Sequence, residues 1–299
     1  MHLNLLRVLP LAFITLTYAS SLLPIRASRR PGCDSAPSAE ALAAIKALKE
    51  SEDQSGVDPS TLTIRQTITV QVYFHAVTNT SISASYPSDS LFSTQLSVMN
   101  NAYASTGIRF VLAGTDRVRN NDLATGSGLF ADTPSAAMQT YLKQNRKGTY
   151  KDLNLYFYTN APSDSFGKCF FPTSPTPATT SLAYAEDGCH IATGTMPGQD
   201  FVDYNLGMTA VHEVGHWFSL LHPFEGNSCT GSGDFVSDTP QESSPSYGCP
   251  VGKDSCPNIS GVDPIHNYMD YSQDSCYQSF TAGQISRMAN AWSTLRAGK

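Results

Sequence analysis

The sequence has few charged residues, no excess of basic residues and no long apolar run beyond its first residues. Charged residues make up only 15% of the 299-residue chain, and the formal net charge at pH 7 is -6. Nucleic-acid-binding proteins normally carry a basic face, so the acidic balance argues against that class. After residue 23 no segment approaches the roughly 20 apolar residues that a membrane-spanning helix needs. The low charge does not indicate disorder, because 10% of the residues are aromatic and disordered chains lack such anchors.

Residues 1–19 have the pattern of a secretory signal peptide. Arg7 supplies a positive charge, a short apolar run follows, and the segment ends in Ala19, a small residue suited to cleavage. The sequons at Asn79 and Asn258 are consistent with glycosylation in the secretory pathway. We therefore expect a secreted, extracellular glycoprotein.

The chain has seven cysteines, and in a secreted protein most of them should be paired. Six lie in the C-terminal half and allow 15 pairings, between which the residues alone do not choose. One cysteine stands far upstream and makes the total odd. The seven are Cys33, Cys169, Cys189, Cys229, Cys249, Cys256 and Cys276.

The patterning divides the rest of the chain into two regions. Residues 20–60 form an N-terminal extension or propeptide, with a helix at Ala39–Glu50 followed by a linker. Residues 61–299 form the main domain, in which strand-like and helix-like patterns alternate until about residue 222. Residues 161–181, rich in Pro, Ser and Thr, are predicted to be a loop. The predicted strands are Leu62–Val77, Ile108–Leu112 and Leu153–Tyr158, and the predicted helices are Ser90–Ser105, Pro134–Asn145, Leu206–Leu221 and Gln284–Leu295.

The most informative segment contains three histidines close together. His212 and His216 are four residues apart, so on a helix their side chains lie on one face, one turn apart. Two such imidazoles can hold a zinc ion, and a catalytic zinc needs a third protein ligand and an open position for water. A continuous helix would turn His222 to a different face. The helix must therefore end between His216 and His222, and Pro223 would stop it in any case.

Glu213 adjoins the first histidine but points to another face of the helix. This position suits a general base that contacts a zinc-bound water, whose pKa zinc lowers to about 7. The carboxylate would take the proton as the water attacks a peptide carbonyl and then pass it to the leaving amine. Two simpler interpretations are a helix with two histidines and no metal, and a zinc site without catalysis. Glu213 argues against the second, because a structural zinc site is closed and needs no base.

A second segment, Asp263–Ser272, contains Met269 among aromatic residues, and an isolated methionine there would most simply be a core residue. Together with the three-histidine motif, however, the sequence resembles the metzincin metallopeptidases, which have a turn with Met beneath the metal. It is similar in particular to the pappalysin group (peptidase family M43) and its secreted fungal extracellular metalloproteases. The resemblance extends from about residue 60 to the end and is carried by His212–Trp217, Gly233–Pro240, Asp263–Ser272 and Cys276–Gln284.

The resemblance implies an α+β fold of two subdomains. The upper one, about 61–222, has a twisted mixed sheet, a backing helix and the zinc helix. The lower one, about 223–299, is irregular, stapled by disulfides and closed by a C-terminal helix. Substrate would lie extended between them and pair with an edge strand, which we place at Leu182–Ala185. The implied disulfides are Cys229–Cys256 and Cys249–Cys276, which leave Cys169–Cys189.

The resemblance also implies a secreted zinc-dependent endopeptidase that acts on protein or peptide substrates as a monomer. Tyr271 is a candidate for stabilising the transition state, and the alternative is a buried aromatic residue with a satisfied hydroxyl. One alternative function is a secreted zinc-binding or adhesion module without peptidase activity. Another is a zinc hydrolase of a different substrate, such as an amidase, which the segment around the methionine disfavours. The implied zinc ligands, base and supporting residue are His212, His216 and His222, Glu213, and Met269.

Two further expectations concern the open metal position and the turn before His222. Cys33 is unpaired in this scheme, and a thiolate is a good zinc ligand. It could fill the open position and keep a proform inactive, unless processing after Arg30 leaves it on the mature chain.

Ser219 stands where the family usually has Gly, and a positive φ costs a non-Gly residue about 1–2 kcal/mol. We expect lower stability there rather than inactivity.

A calcium ion is a second candidate cofactor. Asp234 and Asp238, with Thr239, offer the oxygen ligands that calcium prefers. The alternative is that these side chains cap the loop by ordinary hydrogen bonds.

Overall fold

The computed structural model of the protein describes residues 32–58, 67–131 and 133–299. The expected signal peptide, the processing position after Arg30 and the start of the first predicted strand lie outside the described residues. None of the described helices combines the length and apolar character of a membrane-crossing segment. The elements, besides shorter turns, are α1 Ala39–Ser55, β1 Ile68–Thr78, α2 Asp89–Ala102, β2 Ile108–Arg119, α3 Ala136–Asn145, β3 Leu153–Tyr158, β4 Gly167–Cys169, α4 Leu182–Glu186, β5 Cys189–Ala192, α5 Met208–Trp217 and α6 Ala282–Ala291.

The strands form one mostly parallel sheet in the order β2-β1-β3-β5-β4. Only β4 runs antiparallel, at one edge of the sheet beside β5. The Cys169–Cys189 disulfide joins these two strands. The expected α+β fold with a mixed sheet is confirmed.

The prediction of an edge strand at Leu182–Ala185 is wrong. These residues form helix α4, and the side chain of Ser181 accepts a hydrogen bond from Tyr184 N at 3.1 Å. Such a cap satisfies an N–H group that the first helical turn leaves free, which favours a helix over an extended segment. The edge strand is β4, which lies within the segment predicted to be a loop.

Most other predicted elements are present with different ends. Helix α1 continues through the predicted linker to Ser55, where Gly56 ends it with a φ of 61°. Strand β2 continues beyond the predicted Leu112 to Arg119, because β1 pairs with it along the whole length. Helix α5 ends at Trp217, earlier than the predicted Leu221.

Helix α5 lies in the interior, with every residue from Ala210 to Trp217 buried. Val211 and Val214 join the largest apolar cluster, which also contains Phe74 of β1 and Phe157 of β3. Because apolar contacts surround the helix, they fix its rotation about its own axis. That rotation decides where the two histidines point.

The part after residue 222, here called the lower part, has α6 as its only α-helix and contains none of the strands. It is crossed by Cys229–Cys256 and Cys249–Cys276, so all three expected disulfides are confirmed. Helix α6 begins with a capping box between Thr281 and Gln284.

Candidate active site

The chain leaves α5 by a tight turn that brings three histidines together. Leu220 N donates to Gly215 O at 3.0 Å, and Ser219 takes a left-handed conformation with a φ of 70°. His222 thereby returns to the helix, and its Nε2 lies 3.2 Å from that of His212 and 3.1 Å from that of His216. The predicted end of the helix between His216 and His222 is confirmed.

Hydrogen bonds orient two of these imidazoles with their lone pairs inward. His212 Nδ1 donates to Tyr268 O at 2.8 Å, and His216 Nδ1 donates to Leu220 O at 2.7 Å. A proton on Nδ1 leaves Nε2 as an acceptor. Burial lowers the pKa of His212 to about 4, and it lowers the pKa values of His216 and His222 well below their usual range. Around neutral pH the three rings are therefore uncharged.

Three Nε2 atoms face one another, and two of them, those of His212 and His216, are acceptors, an arrangement that suits a shared cation. The three Nε2 atoms are 3.1–3.2 Å apart, and two neutral lone pairs have no proton to share. Nitrogens that surround a tetrahedral zinc at about 2.0–2.1 Å are separated by similar distances. The donor set and its spacing thus fit a zinc ion, with one position left for a fourth ligand.

That fourth position lies at the sulfur of Cys33. Its Sγ is 3.3 Å from His216 Nε2, and with the three histidines it forms one group of candidate metal ligands. Residues 32–34 lie along the edge strand, with Phe166 N donating to Gly32 O at 2.8 Å and Asp34 N donating to Gly167 O at 3.0 Å. The bridge between Cys33 and Gly167 is parallel.

Glu213 is fully buried and lies against strand β4. Its Oε2 accepts a hydrogen bond from Ser35 Oγ at 2.8 Å and lies 3.5 Å from Cys33 Sγ, while Oε1 has no hydrogen-bond partner among the described residues. Burial raises the pKa of Glu213 to about 8. A Cβ atom at Gly167 would lie 2.7 Å from Glu213 Cγ and Cδ and would overlap Oε1. The carboxyl group therefore fits only because the strand residue beside it has no side chain.

Met269 and Tyr271 approach the histidines from the lower part. Met269 is fully buried, and a Cβ atom at Gly215 of α5 would overlap its sulfur. The Tyr271 ring lies 5.1 Å from that of His222, and its hydroxyl donates to Cys33 O at 3.1 Å. Cys33 N also donates to this hydroxyl, at 3.2 Å. The Tyr271 hydroxyl thus lies at the cleft and is hydrogen-bonded to the segment that occupies it.

Sequence reasoning missed three residues around this site. Ser35 and Gly167 contact Glu213 over long sequence distances, and no local pattern signals such contacts. Asp274 lines a small cavity beside Cys33, and its Oδ2 accepts hydrogen bonds from Leu206 N at 2.7 Å and Met208 N at 3.4 Å. Burial raises the pKa of Asp274 to about 7.

The three calcium candidates are only partly brought together. Asp238 accepts hydrogen bonds from Thr281 Oγ1 at 2.7 Å and Gly283 N at 2.8 Å, so it caps α6. The Thr239 hydroxyl lies close enough to lower the pKa of the buried Asp234 carboxyl, whose pKa burial raises to about 7. Asp234 Oδ2 and Thr239 Oγ1 nevertheless make no hydrogen bond of normal geometry with a described residue.

Comparisons with known proteins identify the family and the fold of the chain. The family model Peptidase_M43, described as pregnancy-associated plasma protein-A, matches residues 137–293. An extracellular metalloprotease of Pyricularia oryzae is 48% identical over 96% of this chain and 97% of its own length. The structure of Tannerella forsythia promirolysin is 27% identical, with a TM-score of 0.62 over 86% of this chain and 90% of its own. Mature mirolysin in complex with a cleaved peptide is 30% identical, with a TM-score of 0.57 over 75% and 90% of the two chains.

The family model covers about half of the chain, and the metalloprotease relative aligns over nearly the full length of both chains. The likeness to mirolysin supports the overall fold. The chain therefore belongs to the pappalysin-like M43 family of zinc metallopeptidases and has the metzincin-like fold that its sequence implied.

Proposed function

We propose that the protein is a secreted zinc-dependent endopeptidase with His212, His216 and His222 as the zinc ligands. The observation that carries this proposal is the convergence of three uncharged, buried Nε2 atoms on one point. A zinc ion held there would act as a Lewis acid on the scissile carbonyl and would lower the pKa of an attacking water or a coordinating thiol. Extracellular location is supported by the name of the Pyricularia oryzae relative.

Glu213 is the general base in this proposal. Its carboxylate takes a proton from the attacking water and returns it to the leaving amine. Once residues 32–34 have left it, the edge of strand β4 can pair with an extended substrate, and the Tyr271 hydroxyl can then donate to the oxygen that becomes negative. A relative crystallised with a cleaved peptide supports protein or peptide substrates.

The N-terminal extension blocks this active site and keeps the enzyme inactive. Cys33 lies at the fourth ligand position, and Ser35 occupies the oxygen of Glu213 that would otherwise contact water. Residues 32–34 also cover the edge of β4 that a substrate would use. We assign residues 20–60 to a propeptide and the remaining chain to the catalytic domain, which works as a monomer.

Asp234 and Thr239 are proposed to contribute to a calcium site in the lower part. Two buried oxygen atoms without hydrogen bonds of normal geometry support this assignment, since calcium prefers oxygen ligands. Asp238 is excluded as a ligand in this proposal because its two oxygens cap α6.

The test is cleavage of casein by three purified forms of the full chain: unmodified, Cys33→Ala, and Cys33→Ala with Glu213→Gln. We expect the unmodified chain to be inactive and the single variant to be active. Loss of the general base should lower the rate of the double variant by roughly 10²–10⁴, while one zinc per chain remains. Chelation should abolish cleavage, and added zinc should restore it.

Zinc binding without cleavage by the Cys33→Ala chain would instead favour a zinc-binding or adhesion module. A chain that holds no zinc would contradict the proposal altogether.

A further inference from the structure

Helix α1 of the extension packs against the catalytic domain through one face. Ala41 and Ile45 contact Phe171 and Leu221 in a small buried cluster. This spacing of four residues continues along the helix in a second cluster. That cluster consists of Ala44 and Leu48 of α1 with Ala291 and Leu295 of the C-terminal segment. Residues at i, i+3, i+4 and i+7 lie on one face of a helix, so α1 has a continuous apolar stripe.

The far end of α1 is held by an ion pair. Glu52 accepts two hydrogen bonds from Arg287 of α6, from Nε and from Nη2, both at 2.8 Å. Asn290 Nδ2 donates to the same carboxylate at 3.2 Å. The Arg287 side chain is fully buried, and no other described carboxylate lies within ion-pair distance of it. Paired guanidinium–carboxylate bonds of this kind combine strength with strict geometry.

The two bound parts of the extension are joined by a very short connection. Only Ala36 and Pro37 separate Ser35, at the active site, from Ser38, the N-cap of α1. When one part is bound, the other is held at a high effective concentration next to its own site. Neither part can then leave for long while the other stays.

We infer that α1 is a docking helix whose receptor is the apolar face of the catalytic domain together with Arg287. The helix keeps residues 32–58 bound after the chain is cut between α1 and β1. In a chain that keeps Cys33, cutting the connection alone therefore does not free the active site, because Cys33 stays in place until α1 leaves its receptor. The consequence for activity rests on the proposed function, whereas retention of the helix does not.

The experiment uses the full chain, with residues 59–66 replaced by the recognition sequence of a specific protease. The folded chain is cut, diluted and passed over a gel-filtration column, and the fraction of the fragment that co-elutes is measured. We expect the fragment to co-elute with the catalytic domain and the casein-cleaving activity to stay low.

Two variants test how much the ion pair between Glu52 and Arg287 contributes to retention of the fragment. Glu52→Gln should increase dissociation of the cut fragment by about tenfold or more, and activity should rise as the fragment leaves. The matched control is Glu50→Gln, which removes a charge from an exposed residue of the same helix that takes part in no described ion pair. This control should retain the fragment as the unmodified chain does. In a Cys33→Ala background the fragment should still co-elute, and Glu52→Gln should then release it.

Release of the fragment from the unmodified cut chain, or equal retention with Glu50→Gln and Glu52→Gln, would overturn the inference. In the Cys33→Ala background co-elution depends on neither a zinc–sulfur bond nor catalysis, so it can be scored even if the protein proves not to be a peptidase. A cut chain that retains its fragment and yet cleaves casein would contradict the proposed latency and leave the docking helix intact.

Discussion

The two parts of the catalytic domain build the site in different ways. The part before residue 223 contains every described strand, and apolar side chains of its helix α5 pack into the largest apolar cluster. The lower part has one α-helix and relies on two disulfides and on buried polar side chains. The histidines and the base come from the regular part, whereas Met269 and Tyr271 come from the irregular part. The proposed reacting groups thus stand on helix α5 or on the turn that follows it, and Met269 and Tyr271 approach them from the lower part.

The largest expected effect comes from the regular part. Gly167→Ala would place a Cβ atom against Glu213, and a displacement of about 1 Å at a catalytic group can cost about 10²-fold in rate. In the Cys33→Ala chain we expect kcat to fall about 10- to 100-fold while KM and zinc content stay nearly unchanged.

The matched control is Gly114→Ala in strand β2, where the added Cβ would meet only the Tyr73 ring, Cδ1 at 3.3 Å and Cε1 at 3.6 Å. Equal kcat values for the two variants would show that Gly167 does not position the base.

A smaller effect is expected in the lower part. If Asp234 helps to bind calcium, millimolar calcium should raise the melting temperature of the full chain by several degrees. Binding at 100 times Kd stabilises by about 2.7 kcal/mol, and about 2–4 °C follow per kcal/mol in a large domain. Asp234→Asn should abolish this shift, and Asp238→Asn should preserve it.

The calcium effect should also depend on pH. Burial raises the pKa of Asp234 to about 7, so the folded state holds a proton there more tightly than the unfolded chain does. Calcium must displace that proton, and the shift should shrink as the pH falls through 7. A shift that is absent at pH 8, or that is lost equally in both variants, would contradict the site.

The smallest effect is expected at the junction of the two parts. Ser219 has a φ of 70°, which costs a non-Gly residue about 1–2 kcal/mol. A glycine would remove that cost but would increase the entropy of the unfolded chain, which lowers stability by about 0.4–1 kcal/mol. Ser219→Gly should therefore raise the free energy of unfolding by up to about 1.6 kcal/mol, measured with denaturant, and leave zinc content unchanged. A destabilised variant would show that the turn favours serine.

The same contrast explains what could be predicted from the sequence. The spacing of His212 and His216 and the need to end the helix before His222 follow from helix geometry, and the structure has both. Strand β4 has only three residues and no periodicity, so it was missed. The edge strand was placed at Leu182–Ala185 only to complete the fold that the family resemblance implies, whereas Ser181 caps a helix there. In the lower part only the family resemblance, not periodicity, predicted the disulfides.

Contacts between the extension and the site could not be predicted from local sequence patterns. Cys33 was a candidate because it was the odd cysteine, but nothing in the sequence placed Ser35 beside Glu213. Those two residues are separated by 178 positions, and only packing of the whole chain brings them together.

The central claim is that three histidines and Cys33 converge on one metal ion in the full chain. X-ray absorption at the zinc edge of the unprocessed protein tests this most directly. We predict one zinc with three nitrogen ligands at about 2.0–2.1 Å and one sulfur at about 2.3 Å, and loss of the sulfur in Cys33→Ala. A zinc shell without sulfur in the unmodified chain, or a protein without zinc, would contradict the account.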